Sequence, residues 1–290
     1  LADAEVRESR ERVRAALLSS GYEFPAGRLT VNLSPADLPK ESGRFDFPIS
    51  QGVLLVSGQI ELPELTQRAG STQCVAALSS LVVAGELSLT GMLSPIKGAI
   101  AIALAVARSQ PQASLLLPYI NAQQATRVPG LKVLGAQSLA EVVEHLTGCK
   151  PLEYLTPIAM PGLQSVVPCL SDVRGQLMAR RALEVAAAGG HSLLFSGTPG
   201  VGKTMLAKRL AGILPALTPA ESLEVASVAA FAGIGEPVWG QRPFRAPHHS
   251  ASMAAMLGGG STPRAGEVTL AHRGVVFFVE FTVILKRVSE

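Results

Sequence analysis

The clearest chemistry in this sequence lies in one short stretch. Gly197, Gly202, Lys203 and Thr204 fill the pattern G-x-x-x-x-G-K-[ST], with Thr198, Pro199, Gly200 and Val201 between them. Glycines at these places let backbone N–H groups converge on phosphate oxygens without side chains in the way. A helix starting just after them adds unpaired N–H groups and roughly half a positive charge. Lys203 is then placed for the β- and γ-phosphates, and the Thr204 hydroxyl for Mg²⁺. The residue types point to a nucleoside triphosphate site, with ATP and Mg²⁺ as the expected ligands.

Such a site also takes an acidic residue at the end of a second apolar strand, where it holds Mg²⁺ through water and orients an attacking water. Val275-Val276-Phe277-Phe278-Val279-Glu280 has that shape. Glu280 is the candidate for polarising water. The usual pair is Asp-Glu, and Val279 stands at the Asp position, so the metal-holding carboxylate is missing. Binding survives that loss better than hydrolysis does. A core strand ending in a solvated Glu is the alternative reading of the same run. His248-His249 follows Arg242-Pro243-Phe244-Arg245-Ala246-Pro247. A metal site needs three or four ligands, and only His272 and Glu280 lie nearby in sequence, so a structural or substrate-facing loop is expected. Arg242 and Arg245 are candidates to meet DNA phosphate or a neighbouring subunit.

The loop needs a strand in front and a helix behind. Ser192 to Phe195 is expected as a short buried strand, and Lys203 to Leu214 as the helix. Before them, Val173 to Ala188 is expected as a helix stopped by Gly189-Gly190. Further upstream the order is helix, strand, helix, strand, helix, strand, which marks an α/β domain. Asp3 caps a helix to Ser20; Leu29, Val31 and Leu33 alternate as a strand; a polar turn, Ser34 to Gly43, leads to a helix over 46–57. Gly85 to Leu93 alternates as a strand, Ala99 to Arg108 is an Ala-rich helix, and 113–117 and 131–134 are short strands. A helix over 139–146 follows. Proline and glycine crowd 149–168 and predict a linker.

Composition bounds the rest. The chain has 290 residues, enough for two domains, with 48% hydrophobic and only 16% charged residues. That profile fits well-buried α/β structure and excludes disordered or fibrous classes. A net charge of +3 permits a nucleic-acid partner without arguing for one. The three cysteines, Cys74, Cys149 and Cys169, share no C-x-x-C spacing. A disulfide framework or zinc site is therefore not expected, and a reducing, cytoplasmic setting is. The apolar run Ala99 to Ala107 is far short of the roughly 20 residues that span a bilayer. The N-terminus has no signal-peptide pattern and no initiator Met, which predicts part of a longer protein.

Several stretches together resemble the ComM/YifB family, the magnesium-chelatase-like AAA+ ATPases of bacteria. They are Ala2 to Arg10, Val31 to Asp46, Asp172 to Gln176, Ala186 to His191, the phosphate loop, Arg242 to His249, and Gly258 to Ser261 with Pro263-Arg264. Stretches 61–84 and 279–290 match the pattern poorly and read as local frame disturbances. The resemblance implies a Lon-protease-like α/β domain over 1–150, a linker over 151–170 and the first part of a P-loop AAA+ α/β core over 171–290. It implies ATP contacts by Gly197 to Thr204, a catalytic Glu280, and adenine lying against Asp172 to Gln176. It further implies a homo-hexameric ring in the bacterial cytoplasm, with DNA branch migration during transformation or magnesium insertion into porphyrin as the work done. The second sensor, arginine finger and helical lid would lie beyond Glu290. A chain with these residues is expected to bind ATP·Mg²⁺ but hydrolyse it at no more than a trace rate.

A Lon-like domain raises the question of peptidase chemistry. The family's serine follows Pro-Lys-Asp-Gly-Pro and its lysine follows Ile-Gly-Gly-Leu. Here Pro39-Lys40-Glu41-Ser42-Gly43 is followed by Arg44, and Ile96-Lys97-Gly98-Ala99 by Ile100. Ser42 and Lys97 are displaced from those positions, so a nucleophile–base dyad is not expected.

Overall fold

A computed structural model describes residues 4–32, 43–61, 80–158, 168–235, 237–259 and 264–279. Asp3, the 34–42 turn, Ser42 and Glu280 lie outside the described residues. The chain forms two compact units, Leu1–Ala159 and Met160–Glu290.

The first unit opens with helices α1 (Ala4–Ser19) and α2 (Asp46–Val56). Strand β1 (Leu81–Val83) is followed by a hairpin of β2 (Glu86–Leu87) and β3 (Leu93–Ser94). Helix α3 (Ala99–Ser109), β4 (Ser114–Pro118), α4 (Tyr119–Ala125), β5 (Lys132–Ala136) and α5 (Leu139–Leu146) complete it. Strands β1, β4 and β5 form a parallel sheet with β4 central, Leu116 sitting between Val83 and Leu134. A parallel sheet is covered on both faces, so its strands are continuously apolar. Leu115, Leu116 and Leu117 are accordingly buried side by side. The core on one face joins Leu116 to Val13 and Leu17 of α1, Phe47, Val53 and Leu54 of α2, and Leu139 and Val142 of α5.

Three expectations needed correction here. Gly85 to Leu93 is not one strand, because the chain reverses at Gly91 (φ +80°) and pairs Leu87 with Leu93. Period-2 alternation is the same in one long strand and in two short arms. Leu29 to Asn32 forms no strand; Leu29 and Val31 are exposed. Alternation without a partner ladder does not make a strand. Residues 151–158, with a linker's composition, lie along β5 instead. Leu155 N–H donates to Val133 O at 2.9 Å, and Tyr154 bridges Leu134.

The second unit holds a 3₁₀ turn at Leu170–Asp172, then α6 (Leu177–Gly189) and α7 (Lys203–Ile213). Helix α8 (Pro219–Ala232), strand β6 (Phe244–Arg245) and α9 (Met253–Leu257) follow. The hairpin β7 (Gly258–Gly259) and β8 (Arg264–Ala265), α10 (Glu267–Leu270) and β9 (Val275–Val276) end the described part. Strands β6 and β9 are parallel. Helix α6 starts four residues after the expected Val173, because Gly175 and Gln176 are both left-handed. Ser192 to Phe195 is not a strand. Leu193 and Phe195 still pack into the core of Leu170, Val173, Leu183 and Leu206, while Leu194 is 84% exposed. The side-chain alternation is a strand's, but the described residues supply no paired ladder. The expected strand over 275–278 is shorter as a ladder, yet Phe277 N–H still donates to Arg245 O at 2.8 Å.

Two features of the first unit are directly testable. The fully buried Asp46 accepts from Arg12 Nε at 2.7 Å and from Ser9 Oγ, tying α2 to α1. Asp46 raises the guanidinium's pKa in turn. Arg12→Met strands a carboxylate in the core and is expected to cost about 3 kcal/mol, read by urea denaturation. Adding Asp46→Leu recovers part of that loss. His145 Nδ1 accepts from Leu152 N–H at 3.0 Å, and burial holds the imidazole below its ordinary value of 6.5. The neutral form is the one that folds best, so its contribution is complete above about pH 6.5 and is lost as pH falls through the lower folded value. His145→Asn, an acceptor that does not titrate, is expected to flatten this acid-side loss of stability.

Candidate phosphate-binding site

Helix α7 is set by its inner face. Leu206, Ala207 and Ala211 are buried, which turns Lys203 and Thr204 of the first turn outward. Its N-cap is Gly202 at φ +90°, with no side-chain cap. The first-turn N–H groups, which have no partner within the helix, are thus available to an anion. Gly200 is also left-handed, at +85°. Both conformations favour glycine strongly, which explains the glycine spacing seen in the sequence.

Lys203 folds back over the loop. Its Nζ donates to Gly197 O at 2.7 Å and to Thr198 O at 3.0 Å. The structure thus brings together the lysine and the start of the motif, with Pro199, Gly200 and Val201 looping between, all solvent-exposed. Thr204 is exposed on the same first turn, its hydroxyl one residue beyond the lysine. An ammonium, a row of open N–H groups and a hydroxyl are a donor set suited to polyphosphate and its Mg²⁺.

The segment before α6 is fastened to this loop and helix. Arg209 of α7 donates from Nε to Cys169 O at 3.0 Å and pairs with Asp172 at 3.4 Å. The Asp172 carboxylate also accepts from Cys169 N–H, closing the turn. Gln176 Nε2 donates to Val201 O at 3.1 Å, reaching from this segment into the loop. Its φ of +49° is unusual for a residue with a side chain and costs roughly 1–2 kcal/mol.

The basic run is bonded within the second unit. Arg242 donates to Pro215 O at 2.7 Å and to Arg273 O at 2.8 Å. Arg245 forms a two-pronged pair with Glu267, at 2.6 and 2.7 Å, which holds that carboxyl below its ordinary range. Both guanidiniums are engaged within the unit. His248 Nδ1 meets Ser250 Oγ at 2.6 Å, and the His248 and His249 rings lie 4.1 Å apart. His272 pairs with Glu224 at 3.1 Å instead of joining them. Among the described residues no group of three or more His, Cys, Asp or Glu side chains could hold a metal. Val279 is about half exposed, and Glu280 lies outside the described residues. Lys97 is exposed before α3, and Ser42, with which no dyad was expected, also lies outside the described residues.

Sequence reasoning missed α8 and the turn that feeds it. The signal was present: Thr218-Pro219-Ala220-Glu221 is a capping box with proline at the first helical position. Glu221 and Glu224 on this helix then receive Arg273, whose φ is +60°. It placed Gln176 in the adenine-facing stretch and missed its bond to Val201 of the phosphate loop.

Comparison with known proteins gives two family matches. The model described as magnesium chelatase, subunit ChlI, matches residues 169–290, and that described as subunit ChlI of Mg-chelatase matches residues 1–121. The chain is 42% identical to competence protein ComM of Haemophilus influenzae, over 100% of this chain and 55% of the relative. It is 41% identical to the uncharacterized protein YifB of Escherichia coli, over 99% of this chain and 54% of the relative. An uncharacterized protein of Mycobacterium tuberculosis is 42% identical over 97% of this chain and 54% of the relative. The chain thus spans about half the length of the curated relatives it matches. With both family models and these relatives in agreement, the chain belongs to the ComM/YifB family of magnesium-chelatase-like AAA+ proteins.

Proposed function

We propose that this chain binds ATP with Mg²⁺ through Gly197 to Thr204, as the nucleotide-binding part of an AAA+ motor. The observation that carries the reading is Lys203 Nζ held over the loop by Gly197 O and Thr198 O, beside the uncapped start of α7. That geometry places one cation and the open N–H groups of the first turn of α7 beside the same exposed loop. Lys203 would take the β- and γ-phosphates, and Thr204 would ligate the metal. Bound Mg²⁺ would neutralise charge on the phosphate oxygens. Glu280 would orient water, and Asp172 to Gln176 would lie against the adenine.

In this reading residues 1–150 are a Lon-like domain without peptidase chemistry, 151–170 a linker whose start, 151–158, packs along β5, and 171–290 an AAA+ core. The motor works as a hexamer in the bacterial cytoplasm and remodels DNA, in line with the competence role in the name of its Haemophilus relative. No helix among the described residues is long and apolar enough to cross a membrane. Metal insertion of the chelatase kind is the alternative use of the same site. A second reading, nucleotide binding without turnover, is favoured by Val279, whose side chain cannot bond to a metal-bound water.

Lys203→Ala removes a charge-assisted contact of roughly 1.5–3 kcal/mol and is expected to weaken binding of a fluorescent ATP analogue about tenfold or more. Unchanged affinity would overturn the ATP reading. Thr204→Ala should instead reduce the Mg²⁺ dependence of binding and leave metal-free binding nearly intact. Val279→Asp is expected to raise Mg²⁺ affinity of the ATP complex roughly tenfold, the worth of one hydrogen bond to a charged group. Titration of Mg²⁺ against the same fluorescence tests it; an unchanged midpoint would show that position 279 is not beside the metal.

A further inference from the structure

Gln176 belongs to no part of the phosphate motif and lies 25 residues before Val201, yet it holds that residue's carbonyl. With Arg273, it is one of two non-glycine residues of positive φ among those described. A backbone conformation that L-residues avoid persists where the surroundings over-determine it, and such places concentrate at ligand clamps. Here it delivers a side-chain amide to one atom, with Nε2 3.1 Å from Val201 O.

The consequence follows from peptide geometry. A peptide unit is planar and trans, so its C=O and N–H point in opposite directions. Holding Val201 O toward Gln176 turns the N–H of Gly202 away from Gln176. Gly202, at φ +90°, is the N-cap of α7 and the residue before Lys203. A β-carbon added there would lie 3.8 Å from Gln176 Nε2 and 3.3 Å from Met205 Cε, so the amide packs directly over this turn. The rest of the 169–176 segment is fixed by Arg209 to the same helix, which gives Gln176 a firm base.

We infer that Gln176 is a positioning residue for phosphate: its amide fixes the Val201–Gly202 peptide so that Gly202 N–H is presented to the phosphate oxygens of the nucleotide. This rests on the reading of Gly197 to Thr204 as an ATP site. Lys203 supplies charge to the phosphates, and Gln176 supplies the orientation of a backbone donor that carries no side chain of its own. The two act on opposite ends of the loop, Lys203 at Gly197 and Thr198, Gln176 at Val201.

The test uses the whole 290-residue chain, with methylanthraniloyl-ATP as the fluorescent probe and inorganic tripolyphosphate as its competitor. Gln176→Gly keeps the left-handed backbone, which glycine adopts freely, and removes only the side chain. Gln176→Glu keeps the shape and replaces the donor with an acceptor facing Val201 O. Both variants are expected to bind the probe about three- to tenfold more weakly, the range for one hydrogen bond. Both should lose the same factor for tripolyphosphate, because the effect acts on the phosphate side. The thermal midpoint of Gln176→Gly should stay at or above that of the parent. Should Gln176→Gly fail to fold, Gln176→Glu carries the comparison. Parental affinity in the variants overturns the inference. So does a loss seen with the ATP probe and absent with tripolyphosphate, which would leave Gln176 only the adenine contact already assigned to the 172–176 segment. A parent chain that binds neither probe nor tripolyphosphate would instead sink the ATP reading itself.

Discussion

A loop made of glycine and small residues has almost no side chains with which to hold its own shape. The conformation of Gly197 to Gly202 is therefore imposed from outside, through carbonyls gripped by its neighbours. Lys203 grips Gly197 and Thr198 from the helix behind, and Gln176 grips Val201 from the segment ahead of α6. Three of the loop's carbonyls are in this way turned to protein, and a peptide whose carbonyl is committed has its N–H committed to the other side. The rest of the second unit serves these two anchors. Leu206 and Ala207 seat α7, Arg209 ties that helix to the Cys169–Asp172 turn, and the core of Leu170, Val173 and Leu183 seats the turn.

Arginines take over much of the joining that strands would do elsewhere. The second unit's described strands are two residues long and supply few ladder bonds. Arg242 connects the loop after α7 to the turn before β9, Arg245 connects β6 to α10, and Arg273 connects that same turn to α8. A planar guanidinium with five donors is suited to bridging carbonyls and carboxylates from different elements. Their exposure is partial, so each bond is worth modest energy. Their value lies in fixing where β9 begins, and β9 leads toward Val279.

The site was more legible in the sequence than the architecture around it. Glycine at positive φ and lysine after it are demands of local geometry, so Gly202 and Lys203 could be read from spacing alone. The apolar runs 113–117 and 131–134 could be read as short strands, and they fall on β4 and β5 because a parallel sheet buries both faces. What could not be read were facts about partners. Among the described residues, Leu29 and Val31 alternate like a strand but have no ladder, and Leu193 to Phe195 alternate correctly without one. Arg242 and Arg245 look like free cations in sequence, because nothing local says that Pro215, Arg273 and Glu267 lie beside them. The bond from Gln176 to the phosphate loop was invisible for the same reason: it spans 25 residues. The helix α8 was legible through its capping box and was overlooked.

The segment over 151–158 deserves a different reading from that of a tether. Strand β5 is at one edge of the three-stranded sheet, and an edge strand offers unpaired N–H and C=O groups to any extended chain. Tyr154 and Leu155 lie against that edge, one bridging Leu134 and the other bonded to Val133. Leu155 also packs so closely on Gly135 that a β-carbon there would come within 3.1 Å of it. The stretch that leaves the first unit thereby doubles as a guard: it occupies the hydrogen-bonding edge that a neighbouring molecule would otherwise use to extend the sheet.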